Sequence, residues 1–486
     1  MKKLVLSSLL LCLCTLCISQ DYPKPTNVAT PAEKVYGLSK FWMEARYNFI
    51  FMEKIGVQKW DSTYQAFLPL VMNTSNDWEY WRLLQKFCAV LKDGHTTIWR
   101  PSIKLSQKEP EKAGQVFIPE RTGLFTEGNI HIGEIARKPY IMAVDKNLAK
   151  RLPVLSEITE VNHIPVEQYI TEYVEPYVSE STDHIRRASS IKQIATGLYG
   201  EKLHLTFKKP DGEKSAIELT YGRTDNNFPE GFDMAVSPAE GEDKLFFMKR
   251  QADDMVYISL NSFNDPQIVE EFKAALPEIR KAKSLIIDIR RNTGGNSGTA
   301  AEILQYFTPD SILIGSKSRT RQNLSSFRAW GAGFSAADTA HGEWATRAYR
   351  AANDKLYYDL GSGMSRKVSL SPDERIIVPT VILTDYYTGS AAEDFLIYAD
   401  NQKHIKRIGR KTFGSTGQPI FITLGKGFSA RICTKEDTYP DGRPFIGFGV
   451  IPHIEVEPTV DDYKNGKDVI LDKAVEYLKG EITAVK

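Results

Sequence analysis

Four apolar runs in the C-terminal half constrain this chain most: Met255–Leu260, Ser284–Ile289, Ile377–Leu383 and His404–Ile408. Each is short and β-rich, and two of the segments between and after them, Gly298–Phe307 and Ser390–Ala399, have helical patterning. Strands that alternate with helices in this way build βαβ units around a largely parallel sheet. Residues 226–486 are therefore expected to form an α/β domain. An excursion of weak periodicity at about 308–374 reads as an insertion over its active face.

The remainder is organised differently. Residues 20–119 read as a helical region, clearest at Asp77–Leu91, where Trp78, Trp81, Leu84 and Leu91 recur at helical spacing behind an Asn76/Glu79 capping pair. Asp93-Gly94 breaks that helix, and His95–Trp99 has the β-branched and aromatic content of a strand. Residues 120–225 switch to short strands at Ile130–Ile135, Ile141–Val144, Glu157–Val161 and Leu203–Phe207. The turn Lys209–Gly212 leads into Ala216–Tyr221 as a hairpin, and a short helix fits Pro165–Tyr173. The whole is a multi-domain α+β protein.

Charge and composition exclude several functions. With 62 Lys and Arg against 61 Asp and Glu, no basic excess is available for nucleic-acid phosphates. Lys2-Lys3 followed by the apolar run Leu4–Ile18 reads as a signal peptide over residues 1–19, cut before Gln20. The run is too short to span a bilayer, and no later segment is long and apolar enough to do so. A small residue should precede an acylated cysteine, but leucine precedes both Cys14 and Cys17, so lipid anchoring is the weaker reading. Export to the periplasm or the medium is expected. Cys88 and Cys433 read as buried thiols, although sequence leaves a long-range bridge open.

Three local patterns could carry chemistry. In Leu383–Asp394 a buried strand ends, Gly389 permits a sharp turn, and Ser390 falls at a helix start, which exposes a hydroxyl beside backbone N–H groups. Most serines in that place only cap the helix. In Asp288–Ser297 a strand runs into Gly294-Gly295, where bare amides can face a substrate; a plain tight turn is the alternative. Neither the phosphate-loop nor the dinucleotide fingerprint is present. His95 stands at a helix-to-strand junction, and the remaining histidines show no metal-ligand spacing, so neither a metal nor an organic cofactor is expected.

Together these segments form a pattern. Asp93–Thr96, Asp288–Gly295, Thr388–Glu393, Gly409–Gly417 and Gly447–Pro452 occur in the order found in the serine peptidases that unite carboxyl-terminal processing proteases, the tricorn core protease and the interphotoreceptor retinoid-binding repeats. The chain resembles that family over nearly its whole length, and Leu155–Val166 resembles the second half of a PDZ domain. The resemblance implies a protease core on a spiral β-sheet (crotonase/ClpP-like), a PDZ-like module at 120–225, and peptide or unfolded-protein substrates. It is compatible with a homo-oligomer.

In the processing branch a lysine in a Phe-Gly-Lys-Gly segment is the base. Here Phe413-Gly414 is followed by Ser415, and Lys411 lies four residues upstream of that serine. The chain is closer to the tricorn-like branch, whose base is a histidine at the position of His95. The implied site is Ser390 as nucleophile, His95 as general base and Gly294, Gly295 and Ala391 as oxyanion hole. Where the tricorn core has a serine before the histidine and a glutamate near its C-terminal motif, this chain has Gly94 and Ile446, which leaves Asp93 as the orienting candidate. A carrier of apolar ligands on the same scaffold and a Ser–Lys protease are the alternatives. The polar stretch Glu172–Gln193 stands where a PDZ domain has its small-residue helix.

Overall fold

The computed structural model describes residues 25–103, 120–222, 230–236 and 241–484. The expected signal peptide lies outside them, as does most of the link from Ile103 to the middle module.

The alternating half forms a six-stranded sheet in the order Phe246–Arg250, Met255–Leu260, Ser284–Asp288, Thr380–Thr384, Ile405–Gly409, Ile454–Glu455. Only the first pair is antiparallel. Its central strands are buried on both faces, which is why they read as unbroken apolar runs. One face (Val256, Ile258, Leu285, Ile287, Ile382) packs on Phe272, Ile303 and Phe395 from the helices Gln267–Ile279, Ser297–Leu304 and Ala391–Tyr398. The other face (Tyr257, Ile286, Val381, Ile408) packs on Ile470, Ala474 and Leu478 of the helix Val469–Ala484.

Helices Pro31–Asn48, Val57–Met72 and Asp77–Ala89 lead the chain, the last behind its Asn76 cap as its spacing predicts. Their apolar faces belong to the same core as the first face of the sheet. A three-stranded sheet completes the join: Thr97–Trp99 pairs antiparallel with Phe428–Ile432, which pairs with Ile420–Gly425. The strand begins two residues after His95, so the imidazole sits on the turn rather than in a ladder.

The middle module is a seven-stranded sheet with its own core around Ile141, Ile158, Leu205 and Phe207. The hairpin Lys202–Lys208/Lys214–Thr220 closes through the predicted turn. The polar stretch is not helix-free: Asp183–Lys192 is an α-helix that buries Ile185, Ala188 and Ile191 together with the polar Arg187 and Ser190. Weak overall hydrophobicity hid an amphipathic helix. The excursion at 308–374 holds a helical hairpin, Ser325–Gly331 and Glu343–Ala352, and short strands, one of which (Lys317–Arg321) pairs with Lys435–Thr438. Cys88 and Cys433 are buried free thiols.

Candidate active site

Two strand-to-helix turns lie side by side at the carboxyl ends of adjacent parallel strands, where open α/β sheets bind ligands. The first follows Ser284–Asp288 and the second follows Thr380–Thr384. They are stitched together: the Gly389 N–H donates to Asn292 O (3.1 Å) and the Thr388 hydroxyl to Ile289 O (3.0 Å). Gly294 has φ 107°, and a Cβ there would stand 2.7 Å from both Ser390 Cβ and Gly389 O. Only glycine lets the two turns approach this closely.

Ser390 itself has φ 54° and ψ −121°, a conformation that costs a non-glycine residue roughly 1–3 kcal/mol. The strain lifts the hydroxyl out of the helix start. Its Oγ lies 3.3 Å from Nε2 of His95. On the other side of the ring, Nδ1 lies 2.7 Å from Ser415 Oγ, and the Ser415 hydroxyl reaches Oδ1 of Asp93 at 3.5 Å. Asp93 therefore meets His95 through Ser415 rather than directly. For Nε2 to accept a proton, Nδ1 must carry the ring hydrogen and donate it to Ser415 Oγ, which leaves the Ser415 O–H for Asp93.

The electrostatics favour a neutral ring. Burial, with the Arg431 charge second, holds His95 down to about 4, so the ring is neutral through the physiological range. Burial pushes the Asp93 carboxyl up, against hydrogen bonds from the Thr96, Ser181 and Ser415 hydroxyls. Arg431 spends its Nη2 on Gly94 O (3.1 Å).

Of the three amides expected to face an oxyanion, two are free. Gly294 N–H donates to Asn292 Oδ1 (2.9 Å), an Asx turn that braces the loop, so this amide is already used. Among the described residues the Gly295 and Ala391 amides have no acceptor. Both stand at helix N-termini, that of Ser297–Leu304 and that of Ala391–Tyr398, where the dipoles favour negative charge.

Ser390 and Gly295 open onto a cleft of about 520 Å³ lined also by Asn264, Met364, Arg366, Asp394, Gln418, Lys435 and Asp437. Met364 and Arg366 come from the 308–374 excursion. Lys411 is not among these groups; its ammonium lies on the surface 3.7 Å from Glu455. The segment Gly447–Pro452 buttresses the loop that carries Ser415: Val450 N–H donates to Thr412 Oγ1 (2.7 Å), and a Cβ on Gly449 would stand 2.4 Å from Thr412 O. Ile446 is buried apolar packing.

Ser415 has no role that the sequence alone assigns; the signal for it is its place after Phe413-Gly414, where the resemblance to processing proteases implies a lysine base.

Residues 254–456 match the family model "Peptidase family S41". The chain carries a peptidase family S41 domain. A carboxy-terminal-processing protease of Bartonella bacilliformis is 22% identical over 235 residues, 47% of this chain and 44% of that protein. The chain thus matches less than half the length of that relative. Among solved structures, mature CPAF superposes with a TM-score of 0.66 at 13% identity, over 91% of this chain and 96% of that one. CPAF complexed with lactacystin gives 0.65 at 13% identity, over 91% and 97%. At such identity the likeness is one of fold, and it extends beyond the S41 domain to the helices and the middle module. Ser390 and the Gly294-Gly295 turn lie inside the S41 match, whereas Asp93 and His95 lie outside it.

Proposed function

We propose that this chain is a serine-type endopeptidase in which Ser390 is the nucleophile and His95 the general base. One observation carries the reading: the chain Ser390 Oγ, His95 Nε2, His95 Nδ1, Ser415 Oγ ends on a buried carboxylate and begins beside two unused backbone amides. A helix-capping serine needs none of these partners.

Ser390 Oγ attacks the peptide carbonyl carbon while its proton passes to His95 Nε2. The carbonyl oxygen becomes an oxyanion between the Gly295 and Ala391 amides, each worth about 3 kcal/mol in comparable sites. The C–N bond breaks, the amine leaves with the proton from Nε2, and an acyl-serine remains. Water then attacks the acyl carbon, gives its proton to Nε2, and the serine leaves with it. Ser415 holds the ring in the working tautomer, and Asp93 stabilises the imidazolium through that hydroxyl.

The lining of the cleft argues against a carrier of apolar ligands, since it carries the charged or polar side chains of Arg366, Lys435, Asp437, Asp394 and Gln418, and the exposed Arg366 and Gln418 would have to be desolvated. The surface place of Lys411 argues against a Ser–Lys pair. In the same reading the substrate is a peptide or unfolded protein, the middle module is a PDZ-like accessory unit, and residues 1–19 direct export. The accessory role is supported by a groove of about 450 Å³ lined by Thr122-Gly123, Ile130–Gly133 and Lys192.

Labelling by a fluorophosphonate probe, read by intact mass, tests the proposal. Wild type should gain one adduct, Ser390→Ala none, His95→Ala should label at least ~1,000-fold more slowly, and Lys411→Ala should match wild type. A folded wild type that stays unlabelled would sink the Ser–His reading.

A further inference from the structure

The nucleophile and the hydroxyl that orients its base stand on different loops, 25 residues apart in sequence. Something must hold them in register, because a base misplaced by a fraction of an ångström loses the near-attack geometry. We propose that Glu393 is the positioning residue that locks Ser390 and Ser415 together. The inference rests on the Ser390–His95 reading given above and assigns a role to a residue outside the proton path.

Glu393 lies one helical turn past Ser390 and is fully buried. Its oxygens divide the work. Oε2 accepts the backbone N–H of Ser390 and that of Ser415, each at 3.2 Å, so the two residues hang from one atom. Oε1 accepts the Gly414 N–H (2.7 Å) and the Thr412 hydroxyl. Thr412 in turn accepts from Val450, which ties in the third loop of the site.

An ordinary helix cap looks different in this same molecule. Glu374 and Asp462 occupy the equivalent place in their helices, and each takes its hydrogen bonds from the N–H and hydroxyl of its own cap residue, Ser371 or Thr459. Glu393 takes one donor from its cap residue and three from the loop 412–415. Burial drives its carboxyl up to about 8 in spite of those donors. A cap alone gives no reason to bury a carboxyl at that cost.

The group suits the task because every neighbour is a donor. A glutamine would turn its NH₂ toward two of them, and one side of the tie would open.

The test measures saturation labelling by the fluorophosphonate probe on full-length wild type, Glu393→Gln, Thr412→Val and, as a capping control, Glu374→Gln, each with its melting temperature. The expected result is a maximal labelling rate about 30-fold lower in Glu393→Gln with half-saturating probe concentration within about twofold of wild type, since positioning acts on the reaction step and not on probe binding. Glu374→Gln should label as wild type. Equal labelling of wild type and folded Glu393→Gln would overturn the proposal while leaving Ser390 and His95 in place. So would a loss that only tracks the folded fraction. If Glu393→Gln does not fold, Thr412→Val decides: slower labelling with the fold intact supports the tie, and unchanged labelling removes it. An unlabelled wild type would overturn the Ser–His reading first, and this role with it.

Discussion

Asp93 and Asp288 are both buried aspartates beside the site, yet their environments drive them in opposite directions. Burial raises the pKa of each. At Asp288 burial is outweighed: the Arg290 guanidinium lies 2.6–3.1 Å away, its amide donates at 2.9 Å, and Tyr257 Oη donates at 2.8 Å, so the carboxyl is held below the usual range. At Asp93 the direct partners are hydroxyls, and burial wins. A guanidinium clamp fixes a charge and serves as scaffold, here pinning the loop to Asp468 of the C-terminal segment. A carboxyl held by hydroxyls is not clamped in one charge state, and its ionisation can respond to a charge that appears on His95.

The sharpest way to break this contrast is Arg290→Met. It strands Asp288 in the interior, and unfolding by urea at pH 7 should show a loss of about 3–5 kcal/mol. Because the folded pKa of Asp288 is depressed, its contribution is present above the unfolded value of 3.8 and disappears as pH falls through the lower folded value. A variant within about 1 kcal/mol of wild type would show that the clamp is ornamental.

Asp93→Asn should behave the other way. Probe labelling should slow by about 100-fold, because the imidazolium loses its counter-charge. Stability at pH 7 should stay level or rise. The raised folded pKa means that the carboxyl stabilises below 3.8 and that this contribution is lost as pH climbs through the folded value. A marked drop in melting temperature with labelling intact would reverse the assignments of the two aspartates.

Ser415→Ala removes the link between His95 and Asp93 and should cost about tenfold in labelling rate, the worth of one good hydrogen bond. The smallest effect concerns pH. The base works when neutral, so the acid limb of labelling should fall near pH 4, where His95 protonates, and not near 6.5. Rates should therefore be flat from pH 5.5 to 7.5. A limb at 6.5 would mean that His95 is more open to water than its burial implies.

Much of the fold was legible because periodicity is local. Met255–Leu260, Ile130–Ile135 and Glu157–Val161 begin and end where their patterns say. The helix Asp183–Lys192 was hidden because its sequence is polar and two of the residues it buries, Arg187 and Ser190, are themselves polar. Ser390 and Gly295 were legible because strand-to-helix turns with glycine leave a local mark. The acceptor on Gly294 was not, since which of two adjacent amides is spent depends on where the Asn292 side chain turns.

The sequence by itself determined the parallel sheet, the two glycine turns at its carboxyl edge and the identity of a serine and a histidine worth examining. Those follow from hydrophobic spacing and backbone freedom, which act over a few residues. Tertiary structure alone decided that His95 stands against Ser390 across 295 positions, that Ser415 comes between His95 and Asp93, and that Glu393 holds two loops on one carboxyl group. Each is a contact between segments far apart in the chain, and such contacts are set by how the helices, the three-stranded sheet and the parallel sheet share one core.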